Sequence, residues 1–221
     1  MTTAPTRIAD TPVDPIFVNR WSPRSFTDAS ITLAELTGIL EAARWAPSAS
    51  NVQPWRFVYS LRNDAAWADL AATLAPGNQT WAPKAAALIA VTSHKRMVPP
   101  GGSELVNNGA HAFDAGAAWA FLALQASQSG WATHAMGGFN AEAAATVIKL
   151  PADYAIHCIV AIGRQGDAEA LPDALKSREQ PSQRRPIADS MIPAPFKSTA
   201  RGYASRFKPQ RGNLAANDLL G

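Results

Sequence analysis

The chain has 221 residues, 47% of them hydrophobic and 17% charged, which fits one domain with a sizeable core and excludes a disordered chain. No apolar run approaches the length of a membrane span, and no apolar stretch follows Arg7 near the start, so the cytoplasm is the expected compartment. The formal charge of +3 averages two unlike parts: residues 1–175 carry 11 basic and 14 acidic side chains, and residues 176–221 carry 9 and 3.

In chain order, Asn19 to Phe26 reads as a polar, irregular turn. Thr32 and Glu35 form a capping box, and Leu33, Leu36, Ile39, Leu40 and Ala43 follow at helical spacing, predicting an amphipathic helix over 33–45. Pro47 ends it by pushing Ala46 out of the helical region. A strand is expected over 56–60, a second helix over 64–74, and a strand buried on both faces over 85–93. The segment 111–129 is rich in alanine, and between Ala112 and Ala126 only Asp114 and Gln125 break the apolar run. Apolar all round predicts a helix buried all round, packed in the core and near a subunit interface, and stopped by Gly130.

A short strand over 131–135 leads into Met136-Gly-Gly-Phe-Asn140, where Asn140 caps a helix through Lys149, and 155–163 supplies another inner strand. The alternation predicts an α+β or α/β sandwich around one sheet. One domain is expected over 1–192. An extended basic tail over 193–221, lying on protein surface or on a partner subunit, follows it.

The chemistry-bearing residues are sparse. The four histidines have no metal-ligand spacing, and there is no nucleophile elbow and no glycine-rich phosphate loop. Cys158, the one cysteine, sits in an apolar β-prone run and reads as a small buried hydrophobe. Asp114 reads as a satisfied polar contact on a core helix. An enzyme with no acid–base constellation needs a cofactor to carry its reaction.

Three segments stand out: Arg20-Trp-Ser-Pro-Arg-Ser-Phe26, Ala46-Pro-Ser-Ala-Ser-Asn-Val-Gln-Pro-Trp-Arg-Phe57, and Met136-Gly-Gly-Phe-Asn140. Singly, they read as a solvated surface turn, a helix-terminating turn and a strand-to-helix turn. In this order and spacing, over roughly residues 15–190, the chain resembles the nitroreductase family of FMN enzymes. That resemblance implies a three-layer α/β sandwich, with a central and mostly antiparallel sheet flanked by helices. It also implies a homodimer with FMN sites at the subunit interface.

Arg20 and Ser22 match the family's phosphate-binding positions, and a guanidinium fork beside a hydroxyl suits a phosphate dianion. Arg24 would reach the ribityl chain or the pyrimidine edge of the ring. Trp21 lies between them as a packing residue of the site. Pro47, Ser48, Ala49, Asn51 and Gln53 are small or amide-bearing and would meet the flavin held mainly by the other subunit. Gly137 would offer a backbone N–H to flavin N5, with Gly138 beside it; many relatives carry an acidic residue at the Gly137 position. Arg184, with Arg185 next to it, would complete the phosphate site, and Asn78 matches loosely an asparagine near the flavin.

The implied reaction is ping-pong hydride transfer from NADH or NADPH, through FMN, to a nitroaromatic, quinone or similar acceptor, with no catalytic side chain. Alternatives on the same fold are dehalogenation, enoate reduction and flavin fragmentation, set by a loop over residues 94–108. Lys95 and Arg96 there are candidates for a 2′-phosphate. A non-enzymatic flavin carrier is another alternative. Nucleic-acid binding by the tail ranks below these, because its aromatics are only Phe196, Tyr203 and Phe207.

Overall fold

A computed structural model describes residues 7–196. The expected tail lies outside the described residues except for its first four. The chain starts with a one-turn helix α1 (Pro15–Asn19), capped by the Asp14 carboxylate with Pro15 at its first position, a start signal that the sequence reading passed over. Helix α2 (Leu33–Arg44) carries the expected capping box between Thr32 and Glu35. A single turn of tight helix at Ala49–Asn51 then leads into strand β1 (Trp55–Leu61).

The second expected helix is shorter than 64–74. Asp64 turns back to accept the Leu61 N–H, so α3 occupies only Trp67–Ala72, followed by the one-turn α4 (Pro76–Gln79). Strand β2 (Ala87–His94) is the buried strand foreseen at 85–93. The 94–108 loop has its own structure: β3 (Arg96–Met97) pairs with β4 (Val106–Asn107), closed by a turn in which the Gly102 N–H donates to the Pro99 carbonyl. The remaining elements are α5 (His111–Gln128), β5 (Ala132–Met136), α6 (Ala141–Val147), β6 (Tyr154–Gly163) and α7 (Asp173–Lys176). Gly130, at φ 74°, lies just past α5, and Asn140 caps α6 by accepting the Ala143 N–H.

The sheet has the order β1-β2-β6-β5, and every pairing in it is antiparallel. Helices cover both faces. On one face, Leu36, Ile39 and Ala43 of α2 and Ala115, Ala118, Leu122 and Ala126 of α5 pack on Ile89, Val91, Val160 and Ile162. On the other, Leu70, Leu74, Trp81 and Ala144 pack on Leu88, Met136, Ile159 and Ala161. The side chains of β2 and β6 alternate between two dry layers, so an antiparallel sheet reads as continuous apolar sequence. This is the three-layer sandwich expected.

Helix α5 corrects one expectation. It is apolar all round but buried on one side only: Phe113 is 83% exposed and Phe121 40% exposed. Apolar character reports what a face avoids, and a single chain does not cover this face. Among the described residues, no helix is long and apolar enough to cross a membrane.

Candidate active site

The polar turn after α1 forms one wall of a cleft of about 410 Å³. Arg20, Trp21, Ser22 and Arg24 line it, together with Arg184 from far along the chain, so the structure assembles the first and last basic motifs. Arg185 does not line it. The cleft also contains residues that the sequence reading missed: Arg7, His134, and Ser177, Arg178, Gln180, Pro181 and Ser182 from the segment after α7. No spacing pattern links residues 7, 134 and 178, which is why they escaped notice.

The cleft is strongly electropositive. Burial, then the charge of Arg184, pulls the Arg20 guanidinium below its ordinary range. Burial, then Arg184 and Arg20, does the same to Arg7. For Arg24, burial and the charge of Arg178 outweigh the opposing pull of Glu179. All of these guanidiniums remain charged at neutral pH, and Glu179 is the acid that offsets the crowding at Arg24. Arg20 Nη1 donates to the Trp21 carbonyl (3.0 Å) and to Ser22 Oγ (3.4 Å), and Arg7 Nη1 donates to the Arg20 carbonyl (2.6 Å). Arg7 Nε is buried without a hydrogen-bond partner among the described residues. Crowded cations, a hydroxyl and an unpartnered donor fit a multiply charged oxyanion such as a phosphate.

His134, from β5, lies against the same turn. Its Nδ1 is 3.0 Å from the Pro23 carbonyl, which can only accept, so the ring is the Nδ1–H tautomer. Burial is the main cause that lowers its pKa to about 4, with Arg24 and Arg20 adding to it against the Pro23 and Ser22 backbone contacts. It is therefore neutral at pH 7.

The second motif stands elsewhere. None of Pro47, Ser48, Ala49, Asn51 or Gln53 lines the cleft. Ser50, Asn51 and Gln53 all have left-handed backbone, with φ of 50°, 54° and 51°. Ser48 Oγ accepts the Gln53 N–H (3.0 Å), and Gln53 Nε2 donates to the Asn51 carbonyl (3.2 Å) and side chain (3.0 Å). Asp114, 2% exposed, accepts the Ala49 N–H (3.2 Å), so the lone acid of α5 is the satisfied polar contact expected.

The glycine pair divides its work. A side chain at Gly137 would meet nothing within 4 Å, so its main chain borders open space. A Cβ at Gly138 would come within 3.3 Å of Asn78 and Ala75. The Gly138 carbonyl accepts from Asn78 Nδ2 (3.0 Å) and from the Ala75 N–H (2.9 Å), so Asn78 buttresses this turn. Neither glycine lines the cleft.

The other histidines pair locally. His94 Nε2 is 2.6 Å from the Asp153 carboxylate, and Ser93 Oγ lies between His111 Nδ1 (2.7 Å) and His157 Nε2 (2.6 Å). Arg96 Nη2 donates to the Leu105 carbonyl (2.6 Å) inside the β3–β4 hairpin. Burial pushes the half-buried Cys158 thiol up to about 11, which agrees with a packing role.

A sequence model of the Nitroreductase family matches residues 18–76 and 60–164. The chain is similar to a solved oxidoreductase containing FMN, with 41% identity and a TM-score of 0.84 over 90% of this chain and 100% of that one. It is also similar to a candidate nitroreductase from Desulfovibrio desulfuricans solved in complex with FMN, with 25% identity and a TM-score of 0.64 over 86% of this chain and 100% of that one. A 44-residue stretch is 48% identical to a Streptomyces coelicolor protein named as a candidate NADH dehydrogenase/NAD(P)H nitroreductase; it spans 20% of this chain and 22% of that relative's length. With the three-layer fold and the motif order in agreement, this chain belongs to the Nitroreductase family.

Proposed function

We propose that this protein is an FMN-dependent oxidoreductase that passes electrons from NADH or NADPH to a nitroaromatic, quinone or similar acceptor. The observation that carries the reading is the cleft in which Arg20, Ser22, Arg24 and Arg184 converge with no acidic side chain among its described lining residues. The FMN named with two of the similar structures supplies the matching phosphate. When bound, FMN would provide the hydride-accepting and hydride-donating chemistry that no side-chain constellation here offers.

The chain's own residues bind and orient. Arg20, Arg24 and Arg184 hold the phosphate charge, Ser22 donates its hydroxyl, and Trp21 walls the cleft. The bare main chain of Gly137 is assigned to the reacting edge of the ring. Nicotinamide and acceptor use one site in turn, so ping-pong kinetics are expected. The reading is tested by the visible spectrum of the purified protein, recorded anaerobically before and after NADPH or NADH. A flavin spectrum that bleaches supports it, and a protein that takes up no FMN overturns it.

The working unit of this reading is a homodimer, with Pro47, Ser48, Ala49, Asn51 and Gln53 serving the flavin of the partner subunit. Its support is the exposed face of α5, where Ala112, Phe113, Gly116, Ala117, Ala120 and Phe121 form an apolar stripe. Small residues at its centre allow the close approach of a second copy of the same helix. Replacing Phe113 and Phe121 together with Asp is expected to give a monomer in sedimentation and to abolish turnover. A double variant that stays dimeric would place the interface elsewhere.

A further inference from the structure

The turn that carries Ser22 and Arg24 does not hold its own shape. Pro23 and Ser25 are buried, and residues 21–25 belong to no helix or strand. Its far end is tied to the segment after β6, where the Ser25 carbonyl accepts the Gly166 N–H (2.9 Å) and Ser25 Oγ donates to the Asp167 carbonyl (2.5 Å). The stretch from Pro23 to Ser25 is also held by two polar side chains from distant parts of the chain. From β5, His134 donates its Nδ1–H to the Pro23 carbonyl at 3.0 Å. From the segment after α7, Glu179 accepts the backbone N–H groups of Arg24 (2.7 Å) and Ser25 (2.8 Å) through Oε1. The Glu179 side chain is 2% exposed, and its second oxygen lies 3.9 Å from the Arg24 guanidinium, without a hydrogen-bond partner among the described residues. The His134 ring packs on Trp81, with centroids 4.7 Å apart, and Trp81 in turn packs on Phe26 at the end of the turn.

A buried carboxylate beside an anion site is costly, because it cancels part of the charge that attracts the ligand. Its place here is explained if the geometry of the turn matters more than its net charge. We propose that His134 and Glu179 are positioning residues, which clamp the Ser22–Ser25 turn so that its donors are set for a phosphate before one arrives. This rests on the reading of the cleft as the FMN phosphate site. Pre-set donors spend less of the binding free energy on ordering. The consequence is selectivity: the clamp acts on the phosphate end of the ligand and leaves the ring end alone.

The test is the affinity of the full-length protein, freed of flavin, for FMN and for riboflavin, followed by flavin fluorescence. Asn places a side-chain N–H close to where His places Nδ1–H, whereas Leu keeps bulk without a donor. His134→Leu is expected to weaken FMN about tenfold while riboflavin affinity stays within about twofold, and His134→Asn to recover most of the loss. Glu179→Gln keeps an acceptor for both N–H groups and removes the opposing charge, so it should bind FMN at least as tightly as the parent, while Glu179→Ala should weaken it. Equal losses of FMN and riboflavin in His134→Leu, or no loss of either, would overturn the clamp. A parent protein that binds FMN no better than riboflavin would overturn the phosphate reading on which it rests, an outcome separate from any variant.

Discussion

The basic cleft and the Pro47–Gln53 segment are both polar turns that follow helices, yet they are built in opposite ways. The cleft draws Arg7, His134 and residues from two segments, Arg20 to Arg24 and Ser177 to Arg184, into one place. Its arginines crowd one another, and its turn is held from outside by His134 and Glu179. The second segment holds itself, through Ser48, Asn51 and Gln53, with Asp114 bonding it to α5. The cost of that self-sufficiency is three left-handed residues that are not glycine, on the order of 1 kcal/mol each. The charged cleft is gathered over long range, whereas the amide-rich segment is pre-shaped locally.

The largest expected effect breaks the cleft and spares the segment. Replacing both Arg20 and Arg24 with Ala removes two charge-assisted contacts, and FMN affinity should fall at least about a hundredfold. Riboflavin affinity and thermal stability should change little in titration and melting experiments. A fall in riboflavin affinity as large as that for FMN would show that the arginines serve the ring.

Next, Asp114→Ala breaks the segment and spares the cleft. It leaves the Ala49 N–H without its acceptor, at a cost of about 1–3 kcal/mol in urea unfolding. Affinity for inorganic phosphate should be unchanged, while NAD(P)H-driven turnover falls. Asp114→Asn retains an acceptor oxygen and should recover most of the stability.

Acid should act on the cleft side. The His134 pKa is lowered to about 4 in the fold, against 6.5 for a free side chain. Between those values, the unfolded chain binds a proton that the folded chain refuses. Stability from His134 is therefore complete above pH 6.5 and is lost as pH falls toward 4, by on the order of 3 kcal/mol. His134→Asn should flatten that part of the stability profile. His157, lowered by burial and by His111, contributes with the same sign and remains in the variant. An unchanged acid slope in His134→Asn would assign it to other groups.

The smallest expected effect is on the segment. Ser50→Gly relieves a left-handed backbone at the expense of chain entropy, for a net gain of about 0.5 kcal/mol in unfolding. A lower turnover at that higher stability would mean that the constrained turn is used in the reaction.

How far the sequence carried the reading depended on the range of the interactions. The capping box of α2 and the Asn140 cap of α6 were legible because each joins residues three apart. The buried strand β2 was legible because a strand covered on both faces has no polar alternation. Where a local feature competed with a periodic one, the ends were misplaced: Asp64 closes a turn, so α3 starts later than its pattern suggested. The 94–108 hairpin was missed because two-residue strands leave no periodicity to detect. Full burial of α5 was inferred from its composition, but one face is left uncovered within the chain.

By itself, then, the sequence determined the longer elements, the strand buried on both faces and the order of three motifs, since each of these is written in neighbouring residues. Only the tertiary structure decided that Arg7, His134 and Arg178 join the basic cleft, that Glu179 holds its turn, and that Pro47 to Gln53 stay out of it. Electrostatic and hydrogen-bonding partners are chosen by proximity in space. Residues more than a hundred positions apart carry no local mark of having been brought together.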